Sequence, residues 1–188
     1  MTPLVPVALT GADLPIAELC GARLDGELFS LAGSWCPVDA ADGPAMRAAA
    51  VAGLARSASG RLVAERMTAA WIYGLAPEPA QHQFCVDVTA RIQKSTGPNA
   101  QLREVRLRHH DVRDVGGLPV TVPRRTAVDL ARWGCSPGAR ADTELLAALL
   151  SYDGDSHSAD EVPSWRPGIS FSRVAAAELS QARRRLCG

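Results

Sequence analysis

The chain has 188 residues, 47% of them hydrophobic, and its 20 basic side chains balance 20 acidic ones. That length buries a sizeable core as one domain, or as one domain with a small appendage. No run approaches the roughly 18 apolar residues of a membrane span, and the start MTPLVPVALTGADLP lacks the basic opening of a secretory signal, so a soluble cytoplasmic protein without membrane contact is expected.

The five cysteines, Cys20, Cys36, Cys85, Cys135 and Cys187, are odd in number and hold no C-x-x-C, which argues against a disulfide framework and a zinc site; reduced, mostly buried thiols are expected. Nineteen of the 20 basic residues are arginine, Lys94 being the single lysine, and with the abundant alanine this points to a GC-rich, bacterial genome. The zero net charge conceals a polarity. Residues 1–60 hold three arginines against six acids, 91–132 nine basic residues against four acids, 141–162 six acids and no lysine or arginine, and the tail from 163 five arginines against one acid. A positive stripe attracts nucleic acid, nucleotide or an acidic partner, and equally suits a solvated face with internal ion pairs.

In chain order, DLPIAELCGARLD (13–25) predicts a short helix capped by Asp13 or a neighbour, with Ile16, Leu19 and Leu24 on its apolar side and Gly26 as its stop. GELFSLAGSWCPV (26–38) reads as strand, turn at Ala32-Gly33, and strand. Helix plus hairpin is the second half of a winged helix. PAMRAAAVAGLARSA (44–58) is an alanine-rich helix opened by proline and ended by Gly60. A second helix is expected over 61–73, where Leu62, Met67, Ala70 and Tyr73 stand near helical spacing, with Gly74 behind it in a left-handed conformation.

QFCVDVTARI (83–92) alternates as a half-exposed strand, KSTGPNA is its turn, and QLREVRLRHH (101–110) repeats the pattern with a register slip, a bulge, near Glu104. Gly116-Gly117 lead into a strand at 118–120, and Thr121 caps a helix that carries Pro123 early and ends at Gly134. A leucine- and alanine-rich helix follows at 139–151, then an acidic irregular loop at 152–168, and a last helix at 172–186 whose Arg183, Arg184 and Arg185 meet the negative end of its dipole.

Arg125 and Asp129 stand four apart on the predicted helix, with Arg132 three further on, and an i,i+4 ion pair that fixes the strand-helix junction is the expected use. Arg124 faces elsewhere, toward solvent. His109-His110-Asp111 makes no metal site, because neighbours on a strand point to opposite faces and no third ligand is clustered with them. DGDSHSADE lacks the sixth-position glycine of a calcium loop. A nuclease centre of aspartate and Glu-x-Lys is unavailable, since Lys94 follows Ile92 and Gln93. Gly116-Gly117 is too short for a phosphate loop, and no activated serine or cysteine is recognisable. Neither metal nor cofactor is expected, and catalytic residues are not assigned.

The order of these pieces is distinctive: a helix-plus-hairpin start, then Ala69-Ala70 with Gly74-Leu75, then Pro119-Val120-Thr121 followed by Arg125-Thr126 and Asp129-Leu130. Over about residues 13–150 the chain resembles the AbiEi-family antitoxins of bacterial type IV toxin-antitoxin systems. The resemblance implies an α/β (α+β) fold in which a truncated winged-helix-like module, 1–42, precedes a small mixed sheet packed with helices, 43–188, that forms the antitoxin domain. It also implies a nucleotidyltransferase-type toxin as partner, neutralised by direct binding or by promoting its modification, and operator DNA bound by the N-terminal part. A DNA-reading helix needs cationic and amide side chains, and residues 13–38 offer Arg23 against four acids. Weak, non-specific, salt-sensitive DNA binding is therefore the most that is expected.

The expected partner or nucleic-acid surface is Arg103, Arg106, Arg108, Arg113 and Arg124; Arg125, Thr126 and Asp129 are the expected structural motif. The alternative is a DNA-binding transcriptional regulator without a toxin partner, in which the hairpin is the wing and the basic strand contacts phosphate; a weaker one is an atypical kinase acting on the toxin, against which the missing phosphate loop counts.

Overall fold

The computed structural model describes residues 7–56, 61–90, 99–134, 140, 142–153 and 172–186. Helix α1 spans Ile16–Leu24, and Pro15, not Asp13, stands at its N-cap. The Asp13 carboxylate accepts instead from the Thr10 amide and hydroxyl, closing a turn before the helix. Leu19 is fully buried, whereas Ile16 and Leu24 are 61% and 89% exposed, so the expected apolar side of α1 faces solvent at two of its three positions. Strands β1 (Leu28–Leu31) and β2 (Ser34–Pro37) form the hairpin, turning through Ala32 and Gly33, both at positive φ as a two-residue turn of this hand requires.

Helix α2, Pro44–Arg56, begins with proline, where the missing N–H leaves nothing unsatisfied. Its small side chains let it lie between the hairpin and the main sheet: Met46, Ala48, Ala50, Val51 and Ala55 are all buried, and Ser34 Oγ donates to the Ala50 carbonyl at 2.6 Å. Ala8, Ala32 and Cys36 share the hydrophobic core with α2 and the later helices, so the hairpin packs onto the rest of the chain through one continuous core. The expected stop at Gly60 lies outside the described residues.

The stretch expected as one helix over 61–73 divides in two. Val63–Ala64 form strand β3, and α3 runs from Arg66 to Ile72. Val63 pairs with Cys85, and Ala64 pairs with both Phe84 and Val120, so partners far along the chain override a helical spacing. Gly74, at φ +79°, ends α3; a Cβ there would lie 2.8 Å from Arg47 Nη1, which donates to the Trp71 carbonyl at 3.2 Å and closes the carbonyl end of the helix.

Strand β4 (His82–Asp87) is buried on both faces through Val86, not half-exposed. Strand β5 (Ala100–Val105) lies parallel to β4 in a regular register from His82↔Ala100 to Asp87↔Val105, without a bulge at Glu104. Parallel neighbours cannot be joined by a two-residue hairpin; of the expected turn KSTGPNA, 94–100, residues 94–98 lie outside the described residues. A 3₁₀ turn, His109–Asp111, leads to β6 (Val112–Val115), which the sequence pattern does not announce, and β6 pairs antiparallel with β7 (Leu118–Thr121). The five-stranded mixed sheet has the order β5-β4-β3-β7-β6.

Helix α4 spans Pro123–Trp133, with Val122 as N-cap, Pro123 at the first position and Gly134 (φ +71°) after its end. Thr121 is not the cap: its hydroxyl meets that of Thr126 at 2.8 Å in the buried strand-helix junction. Helix α5 (Thr143–Ser151) is capped by Asp142, whose carboxylate accepts from the Glu144 amide at 3.2 Å, and α6 (Ser172–Leu186) packs against α4 and α5. Cys36 and Cys85 are buried thiols and Cys20 is exposed; Cys135 and Cys187 lie outside the described residues, as does the acidic loop beyond Asp153. Among the described residues no helix is long and apolar enough to cross a membrane.

His82 lies 4% exposed beside Trp71, with ring centroids 5.5 Å apart, and burial pushes its pKa from 6.5 down to about 4. The folded chain therefore resists a proton that the unfolded chain takes up near pH 6.5, and stability should fall as pH drops from about 6.5 to about 4. The expected loss is about 3 kcal/mol. Denaturant midpoints measured across that range should show it, and His82→Gln should flatten the profile.

Candidate functional site

The polar side chains gather where β3 passes into α3, β5 crosses beside it, and α4 lies against both. Glu65 follows β3 directly as N-cap of α3 and is fully buried. Its carboxylate accepts from Arg103 of β5 in bidentate fashion, Nε to Oε1 at 2.6 Å and Nη2 to Oε2 at 2.7 Å. Arg66, held at φ +46°, reaches the same Oε1 at 3.3 Å. A non-glycine residue in this region is uncommon, and here it lets the chain pass from strand to helix within one residue while both Glu65 and Arg66 stay in the cluster. The Gln83 side chain accepts from the Met67 amide at 3.0 Å, and Thr68 Oγ1 accepts from the Gln83 amide at 2.7 Å, fixing that junction.

Asp129 of α4 joins the second half of the cluster. It accepts from Arg125 Nε at 2.8 Å as an i,i+4 pair and lies 3.4 Å from Arg103 Nη2. Arg125 Nη1 donates to Asp111 at 2.7 Å and to the Arg106 carbonyl at 3.2 Å, binding α4 to the segment that follows β5. Thr126 donates to the Thr121 and Val122 carbonyls, both at 3.1 Å, so its hydroxyl locks the turn into α4.

Charge neighbours decide the acid-base behaviour of the group. Burial alone would lower the Arg103 and Arg125 guanidinium pKa values, but the carboxylates of Glu65 and Asp129 outweigh it and raise both. Burial, reinforced by Glu65 and Asp129, pushes the Cys85 thiol far up, so it stays protonated. Arg132 differs. Burial lowers it, and the attraction of Asp129 is opposed by the nearby charges of Arg103 and Arg125.

Arg113 sits in a separate cage. Its guanidinium lies 4.6 Å from the Tyr73 ring centroid and 5.5 Å from that of Tyr152, donates to Tyr73 Oη at 3.1 Å, and pairs with Asp153 at 2.9 Å. Tyr73 in turn donates to the Thr121 carbonyl at 2.8 Å, and burial pushes its pKa up to about 12. The cage fastens β6 to α3 and to the end of α5.

The structure thus distributes the expected surface arginines over two environments. Arg103 and Arg113 are held in internal pairs, whereas Arg106 and Arg108 are exposed and Arg124 is partly exposed. The contact of Arg125 with the Arg106 carbonyl brings segment 106–108 to the first turn of α4, beside Arg124. An adjoining cleft of about 440 Å³ is lined in part by Asp87, Arg108, His109 and Asp114. Asp87 is held down at about 2 by the Thr89 hydroxyl and by the backbone amides of Leu107 and Thr89. Sequence reasoning missed Glu65 and Trp133 altogether. The signal for Glu65 is a carboxylate directly after the apolar run Leu62-Val63-Ala64, hidden when 61–73 is read as one helix.

Fold and site together define an α+β protein whose mixed sheet carries a buried arginine-carboxylate network and an arginine-bearing edge. The AbiEi antitoxin C-terminal domain family matches residues 58–179, and the chain belongs to it. Its role is accordingly that of an antitoxin, and its partner is a toxin. Among solved structures, the crystal structure of the RV2827C protein from Mycobacterium tuberculosis is similar, at 18% identity and a TM-score of 0.44, covering 96% of this chain and 74% of that one. No curated protein matches the chain.

Proposed function

We propose that the chain neutralises a nucleotidyltransferase-type toxin of a type IV system by direct contact, through Arg106, Arg108 and Arg124. The observation that carries this reading is the division among the arginines: Arg103, Arg113 and Arg125 are consumed in internal pairs, while Arg106 and Arg108 project into solvent from a segment fixed by Arg125. Anchored cations on a rigid edge suit an acidic surface or cleft, where they steer association and set register. On this reading residues 1–42 form a truncated winged-helix-like module and 43–188 the antitoxin domain. The family match, 58–179, falls within the second of these. DNA binding is weak, non-specific and salt-sensitive, since Arg23 is the single cation of 13–38. The protein works in the cytoplasm.

Co-expression with a nucleotidyltransferase toxin, sought among the neighbouring genes, tests the reading. The wild-type chain should relieve growth arrest. Arg106→Glu with Arg108→Glu should abolish relief while leaving the melting temperature within about 2 °C, because both sites are exposed. Full relief by the double variant contradicts the assigned surface.

A further inference from the structure

A cavity of about 530 Å³ opens where the hairpin, α2 and the end of α3 meet. That volume lies within the range of pockets that hold a small molecule. Phe29 and Leu31 of β1 line it together with Met46 of α2 and Trp71 of α3. Met46 and Trp71 are each 4% exposed, whereas Phe29 and Leu31 are partly buried, so the deep part of the cavity is apolar.

Three charged side chains also line it, and two of them answer each other. Arg47 donates from Nε and Nη2 to the Asp42 carboxylate at 2.9 and 2.6 Å, and from Nη1 to the Trp71 carbonyl at 3.2 Å. All three of its nitrogens are thus engaged inside the fold. The third charge is Glu78, an exposed carboxylate 3.7 Å from His82 Nε2. Burial holds that imidazole neutral, with its pKa down at about 4. At neutral pH the lining therefore keeps one negative charge, on Glu78, beside the Trp71-His82 ring pair.

We propose that this cavity binds a small organic cation, an ammonium group carried on an aryl or alkyl body. The Glu78 carboxylate selects the ammonium, and the surface of Phe29, Met46 and Trp71 takes the apolar body, which an inorganic cation would leave uncovered. An anion is repelled by the same carboxylate and finds the Arg47 guanidinium already committed to Asp42. Because the lining comes from β1 as well as from α2 and α3, an occupant joins the hairpin to the antitoxin domain. This site is distinct from the Arg106-Arg108-Arg124 surface and does not depend on the toxin reading.

The test uses the full chain with phenethylamine as the probe, against phenethyl alcohol and phenylacetate, which keep the ring and replace the charge, all at equal ionic strength. Phenethylamine should raise the melting temperature saturably, by about 4 °C at a tenfold excess over Kd. The alcohol should bind about tenfold more weakly, and phenylacetate should give no shift. Glu78→Gln, at an exposed position, should bring amine and alcohol to equal affinity. Ala76→Phe, which places a ring in the cavity, should remove both shifts. The absence of a saturable shift with the amine, an equal shift with phenylacetate, equal affinities of amine and alcohol for the wild-type chain, or an amine preference that persists in Glu78→Gln overturns the proposal. The Glu78→Gln comparison holds even if Ala76→Phe does not fold.

Discussion

Glu65→Ala is expected to destabilise the fold by about 3–5 kcal/mol, lowering the melting temperature by roughly 10 °C. Glu65 is fully buried and receives the bidentate Arg103 contact. Removing it leaves a guanidinium whose side chain is 22% exposed beside two further arginines, with Asp129 alone at 3.4 Å to answer it. The cost arises from the stranded charge more than from the lost attraction, since a buried pair is offset by the desolvation of both partners. Glu65→Leu combined with Arg103→Met should therefore recover much of the loss. Denaturant unfolding of the two single variants and the double variant measures this directly. A double variant as unstable as either single would show that the pair itself, and not the stranded partner, carries the stability, and a loss equal to the sum of the singles would show that the two residues are not coupled.

The second large effect is expected at the turn between β6 and β7. Gly116 has φ +59°, and a Cβ built there would lie 2.7 Å from the Ala45 carbonyl oxygen and 3.1 Å from its Cα. Ala45 belongs to the first turn of α2, a backbone that cannot yield as a long side chain would. Gly116→Ala thus combines left-handed strain with a clash across the contact that seats α2 on the sheet, and should cost about 2–4 kcal/mol. Gly117 is the internal control. Its φ is +84°, but a Cβ there meets nothing within 4 Å, so Gly117→Ala should cost only the conformational strain, about 1 kcal/mol. Equal losses at the two glycines in thermal unfolding would mean that the approach of α2 contributes nothing.

Local chemistry made part of this fold legible. The hairpin at 28–37, the proline-opened helix α2, the glycine after α3 and the span of α6 follow from turn residues, caps and propensities that act within a few positions. The elements that escaped are those defined by distant partners. β3 has two residues, too few for a period, and exists because β4 and β7 flank it. The parallel pairing of β4 with β5 depends on a crossover that no local pattern encodes. β6 was hidden because Val112–Val115 reads Val-Arg-Asp-Val, four residues without the alternation that marks a strand.

The site divides the same way. Arg125 and Asp129 are four apart on one helix, and spacing alone pairs them. Arg103 looked like a surface cation of an alternating strand until Glu65, 38 residues earlier, supplied its partner. Arg113 was taken into the aromatic cage by Tyr73 and Tyr152, which lie 40 and 39 positions away in opposite directions. Sequence marks which residues carry charge; the long-range pairings decide which of them remain outside.

On the proposed reading this antitoxin acts on its toxin by direct contact through Arg106, Arg108 and Arg124. Native mass spectrometry of the chain mixed with its toxin, on that reading a nucleotidyltransferase, measures it most directly. A non-covalent complex that dissociates as salt rises is expected, with the mass of the recovered toxin unchanged. A toxin neutralised with added covalent mass, and no complex detected, would contradict it.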